Sequence, residues 1–152
     1  MDYYGQSDFT IMLSEEVSEQ LKKDIPVNCT VALSQRQLCD LEMILNNAFN
    51  PLNGFMNEAE YNSVLENMSL NNGLLWSMPI TLDVSKEQID AFAGATKISL
   101  ADKEGFTLAT LDIESIWQAD KMKEAEKLYG TTDTAHPGVE YLMNEVKEYY
   151  IG

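Results

Sequence analysis

The best place for proton-transfer chemistry is Thr-Thr-Asp-Thr-Ala-His-Pro-Gly, residues 131–138, where Asp133 lies three residues before His136, the chain's single histidine. A carboxylate that orients an imidazole is the usual arrangement of a general base. A base also needs a nucleophile or substrate to act on, and no Gly-x-Ser-x-Gly or comparable context accompanies this one. Threonine, aspartate and histidine directly before a proline also make up a helix start: Pro137 suits the first helical turn, where its missing N–H leaves no bond unmade. The structural role is therefore the reading adopted for His136, ahead of a small independent enzyme built around it.

Other chemistry-bearing patterns are weaker. The loop Asn50, Pro51, Leu52, Asn53, Gly54, Phe55 has no glycine-rich phosphate cradle and no adjacent lysine, and reads as a turn that docks Phe49 and Phe55. Asp and Glu residues are dispersed, without the spacing of a calcium loop, so no metal-ligating residue is assigned. Trp76 and Trp117 could stack bases in an RNA-binding module, yet both sit in apolar patterns with few cations nearby, as core or interface residues do. Cys29 and Cys39 read as two reduced thiols, Cys39 packed as a small apolar side chain.

Charge narrows the functional classes. Against 25 acidic residues stand 10 basic ones, a formal net charge of −15, and Arg36 is the only arginine. Nucleic-acid binding draws most of its affinity from clustered Lys and Arg, so a nucleic-acid partner is not expected. The first residues lack a basic n-region, and no apolar run is long enough to cross a bilayer, so the expectation is a cytoplasmic protein without a membrane partner.

The elements that position these residues follow from periodicity. At 152 residues, 45% of them hydrophobic, the chain has the size of one domain with its own core. Residues 14–23 carry Val17 and Leu21 at helical spacing. Ser34 and Gln37 make a capping box that opens a helix to about Asn47, with Leu38, Leu41, Leu45 and Ala48 on one face and Ile44 beside them. Asn57 and Glu60 start a second helix through Met68. Strict alternation from Trp76 to Val84 predicts a half-buried strand, placed at an edge or bulge by Pro79. Ser85 and Gln88 cap a short helix. Residues 97–101 and 106–113 predict a hairpin across a polar turn. Residues 120–129 predict another helix ending at Gly130, and a last short helix follows Pro137. The chain closes on a strand-like run, Val146 to Ile151. Apolar strand residues at such a position usually lead into something that buries them, so the sequence is expected to be a fragment, with Tyr141, Tyr149, Tyr150 and Ile151 marking an exposed apolar face.

Three segments, Leu33 to Met68, Leu74 to Ser85 and Tyr129 to Leu142, together resemble the ATP sulfurylases (sulfate adenylyltransferases). RQLCDLE, NPLNGFM and WSMPITLDV stand here in the family's order and spacing, and the likeness leaves only residues 1–32 as an extension of uncertain kinship. It implies an α+β fold, a PUA-like β pseudo-barrel with flanking helices. It also implies a partner, the family's nucleotidyltransferase domain, normally part of the same polypeptide. That domain's Gln-x-Arg-Asn-Pro segment and histidine pair have no counterpart here: Arg36 lies in SQRQL without Asn-Pro after it, and one histidine cannot make a pair. Making adenylyl sulfate from ATP and sulfate needs cations to hold both anions and offset charge at the α-phosphoryl group. No catalytic or cofactor-binding residue is therefore assigned, and the domain is expected to be noncatalytic. The resemblance puts the segment that holds His136 and Pro137 close to the junction with the catalytic domain; these two, with Tyr141, Tyr149, Tyr150 and Ile151 of the expected apolar face, are the candidate domain-interface residues. A freestanding PUA-like RNA-binding module is the alternative, on fold analogy alone.

Overall fold

The structure is a computed structural model and describes residues 13–152. Helix α1 (Glu15–Asp24) is capped by Ser14, with acidic residues in its first turn and Lys22 and Lys23 in its last, which complements the helix dipole. A 3-10 turn (Val27–Cys29) leads into β1 (Thr30–Ala32). Helices α2 (Gln35–Leu45) and α3 (Glu58–Asn67) follow, then β2 (Leu82–Val84), α4 (Lys86–Ala91), β3 (Lys97–Ala101) and β4 (Thr107–Asp112). The last elements are β5 (Ile116–Gln118), α5 (Lys121–Tyr129), α6 (Pro137–Asn144) and β6 (Tyr149–Ile151).

Two three-stranded sheets organise the α+β fold, and among the described residues they do not close into a barrel. In the first, β3 lies between β1, which runs parallel to it, and β4, which runs antiparallel. The hairpin register pairs Lys97 with Asp112 and slips at Leu100/Ala101, where Leu108 is left without a partner opposite it. In the second, β6 lies between β2 and β5, antiparallel to both, so that Ile151 faces Leu82 on one side and Ile116 on the other. One core joins the sheets and helices; Val31, Leu82, Val84, Ile98 and Ile151 are wholly inaccessible within it. Each such side chain contributes about 1.5–3 kcal/mol relative to exposure.

Several sequence expectations change in the structure. The alternating stretch from Trp76 to Val84 enters a ladder only at Leu82–Val84; residues 79–84 are buried whichever way they point. Pro79 cannot donate to a ladder, and Ile80 instead pairs with the loop before α3, its carbonyl accepting from Met56 N over 2.9 Å. In α2 the inward face is centred on Gln37, Leu41 and Ile44, not on Leu38, Leu45 and Ala48. Cys39 is exposed, contrary to the packed thiol expected: two residues from both Gln37 and Leu41, it sits about 200° round the helix from each. Cys29 is the buried thiol. Among the described residues no helix is long and apolar enough to cross a membrane.

Candidate domain-interface site

Gly130 ends α5 with φ of 66°, a left-handed conformation that glycine adopts without strain, and so turns the chain toward α6. In the turn that follows, the Asp133 carboxylate accepts from Ala135 N at 2.9 Å, and its carbonyl accepts from His136 N at 3.0 Å. His136 is the N-cap of α6, and its Nδ1 accepts from Gly138 N at 3.1 Å. The ring stacks on Tyr129 with centroids 4.9 Å apart. Asp133 and His136 thus meet through the backbone, and the imidazole nitrogen that a carboxylate would orient is spent on the helix start. Gly138 is what lets Tyr129 lie so close: a Cβ there would stand 2.7 Å from two of its ring carbons.

His136, Pro137 and Tyr141 are exposed on α6 and its cap. The other three residues assigned with them do not share that surface. Tyr150 and Ile151 sit in the middle strand of their sheet, 1% and 0% exposed, so the apolar face expected there is interior. β2 and β5 cover both edges of β6, and the core packs against Tyr150 and Ile151. Tyr149 is half-buried and lines a groove with Lys86, Lys121 and Lys147, beyond the far end of a helix about 12 Å long.

Tyr141 leads inward to a polar network that the sequence did not reveal. Its hydroxyl accepts from Arg36 Nε at 3.3 Å, while Arg36 Nη1 reaches Asp40 at 3.1 Å and Nη2 reaches Asp83 Oδ1 at 2.9 Å. Gln37, the capping-box residue of α2, also donates to Asp83 Oδ1 at 2.9 Å, and Lys147 N donates to Oδ2 at 3.1 Å. Asp83 is only 7% exposed, and these donors offset its desolvation. Burial opposes the charge on Arg36, but the Tyr141 hydrogen bond and the two carboxylates outweigh it and hold the guanidinium above its ordinary value. Burial pushes the Asp40 carboxyl up despite Arg36 beside it.

A second buried carboxylate, Glu124 of α5, accepts from the Tyr61 and Tyr150 hydroxyls at 2.8 Å each through one oxygen. Burial raises the Glu124 pKa, against the lowering effect of the two hydroxyls, and burial beside Glu124 pushes both phenols up. Trp117 packs against both tyrosine rings, but its buried Nε1 is without a hydrogen-bond partner. Sequence offers no sign of this cluster, because Tyr61 and Glu124 are neighbours only through the packing of α3 on α5.

A cleft of about 700 Å³ lies between α1, the end of α2 and β4, lined by Leu21, Leu41, Leu45 and Leu108 among others. Among the described residues no group of three or more His, Cys, Asp and Glu side chains could hold a metal ion.

Residues 3–152 match the family described as PUA-like domain. The chain belongs to that family. Its relatives include sulfate adenylyltransferases of Gibberella zeae, 48% identical over 126 residues, and of Mycosarcoma maydis, 40% identical over 139. These alignments take in 80% and 90% of this PUA-like chain but 22% and 24% of the two enzymes. The chain therefore spans under a quarter of the length of these curated relatives. A solved structure described as a hexameric APS kinase from Thiobacillus denitrificans superposes with a TM-score of 0.57 at 32% identity, over 70% of this chain and 22% of that one.

Proposed function

We propose that this PUA-like chain is the noncatalytic N-terminal domain of a sulfate adenylyltransferase, packing against and supporting the domain that converts ATP and sulfate to adenylyl sulfate and pyrophosphate. The observation that carries this is how the chain's only arginine and only histidine are used. Arg36 is engaged by Asp40, Asp83 and Tyr141, and His136 Nδ1 caps α6. Neither is free to hold a triphosphate beside sulfate, whose charge must be met by fixed cations. The names of the relatives, and the small fraction of them that the chain covers, support the same reading. His136, Pro137 and Tyr141 stand exposed on α6 as contacts for the catalytic partner.

A chimera tests this. In the Gibberella zeae enzyme, the matched 126 residues are replaced by this chain, and adenylyl sulfate formation is followed for the chimera, for the enzyme with that segment deleted, and for the 152-residue chain alone. The chimera is expected to turn over, the deletion to lose most activity, and the chain alone to show none. Turnover by the purified chain alone, or a folded but inactive chimera, would overturn the reading.

A further inference from the structure

Charged residues make up 23% of this chain, yet residues 43–57 and 67–82 contain no Asp, Glu, Lys, Arg or His. The fold brings these two stretches together. Phe49 meets Trp76 edge to face, with centroids 5.7 Å apart, and Met56 N donates to Ile80 O at 2.9 Å. The second stretch folds back on itself, Trp76 N donating to Met68 O at 2.8 Å and Ser69 bridging to Leu75. This turn carries the apolar side chains Leu75, Met68, Met78 and Leu74 at 77%, 54%, 47% and 45% exposure, beside the half-buried Trp76 and Phe49. Single exposed apolar side chains are ordinary, but a contiguous set is not. Loss of charge together with methionine and aromatic side chains is the composition of an interface centre.

We infer that this uncharged face is a docking surface, and that its occupant is the remaining part of a sulfate adenylyltransferase polypeptide, through an apolar patch rimmed by basic residues. The inference rests on the proposed function and adds a second contact surface to the one on α6. Charge complementarity selects the occupant. All of the net charge of −15 lies outside the uncharged stretches; Glu42 and Glu58 stand exposed at the two ends of the first, while Glu66 before the second is paired with Lys123 and Lys127, and Glu60 accepts from Asn71 N at the base of the turn. Two copies of this chain would bring acidic rims together, which opposes self-association. A basic rim on a different surface would relieve that repulsion. The relatives carry the greater part of their length outside the matched region, so a partner surface within one polypeptide has room to exist.

The test uses the same chimera with the pair Leu75→Glu and Met78→Glu, exposed positions where the isolated chain should tolerate charge. The isolated variant is expected to melt within about 2–4 °C of the parent chain, as surface substitutions do in a domain of this size. In the chimera the pair should release this domain to limited proteolysis at least ten-fold faster and split a single melting transition into two. If the isolated Glu variant fails to fold, Leu75→Ser with Met78→Ser serves in its place, with the same expectations. An unchanged, active chimera would overturn the docking surface and leave the proposed function standing. A parent chimera that folds as two independent, inactive bodies would overturn both. Sedimentation of the 152-residue chain as a dimer that the Glu pair dissociates would assign the face to a second copy and overturn the occupant inferred here.

Discussion

Arg36 Nη2 and Asp83 Oδ1, 2.9 Å apart, join α2 to β2 across the domain, and the same guanidinium carries on to Tyr141 of α6. One side chain thereby ties three elements that are distant in sequence.

Replacing Arg36 with Ala leaves the Asp83 carboxylate buried, with Gln37 and Lys147 N as its remaining donors. Because the Arg36 side chain is 32% exposed, the loss should fall below the ~3–5 kcal/mol of a fully buried pair, at about 1–3 kcal/mol. Arg36→Lys should recover only part of it, since an ammonium cannot reach Asp40, Asp83 and Tyr141 in the fixed geometry of the guanidinium. Urea midpoints of the three proteins check this; equal midpoints for parent and Arg36→Ala would contradict it.

Glu124 supplies a pH signature. Burial raises its pKa above the ordinary 4.5, so the folded state holds this proton more tightly than the unfolded chain does. Its contribution to stability is then full below about 4.5 and is lost as pH rises through the raised folded value. Glu124→Gln keeps an acceptor for the tyrosines and cannot titrate. The melting temperature of the parent minus that of Glu124→Gln should fall as pH rises from 4.5 toward neutrality, then level off. A difference that grew with pH would show that the charged form is favoured inside.

The two hydroxyls on Glu124 should be coupled. Removing either, by Tyr61→Phe or Tyr150→Phe, takes one donor from a buried acceptor and should cost about 1.5–3 kcal/mol. The double variant should depart from additivity, because both hydroxyls share one carboxylate oxygen. A double-mutant cycle by chemical denaturation measures the term; strict additivity would show that the two bonds act independently.

At the start of α6, His136→Ala removes an N-cap and should cost about 1 kcal/mol while the fold persists. Gly138→Ala should cost more, about 1–3 kcal/mol, by driving a methyl into the Tyr129 ring. Thermal melts of the two variants decide the order, and a Gly138→Ala protein as stable as the parent would show that Tyr129 moves aside freely.

Helix starts were legible in the sequence because capping is local: Ser34 with Gln37, Ser85 with Gln88, and Asn57 each cap the helix expected of them. The hairpin was legible for the same reason, alternation flanking a polar turn. What escaped the sequence was long-range. Trp76–Thr81 alternates as a strand does, but its hydrogen bonds go to Met56 and Met68, which no local pattern announces. Tyr150 and Ile151 look like an unfinished surface when read as the end of a run, and become core once β2 and β5 close on them. Asp83 and Glu124 likewise look like two more solvated acids until distant donors surround them. Of the site residues assigned from sequence, His136, Pro137 and Tyr141 share one helix and stay exposed because their grouping was itself local.

Placing β6 between β2 and β5 also dictates when this sheet can exist. A ribosome has already made both outer strands before it makes the one that joins them, so Leu82 and Trp117 must wait without their ladder partners for residues 149–151. Closure across so much intervening chain is entropically slow. The nascent polypeptide therefore passes through a period in which Leu82, Val84 and Trp117 have no closed sheet to pack into.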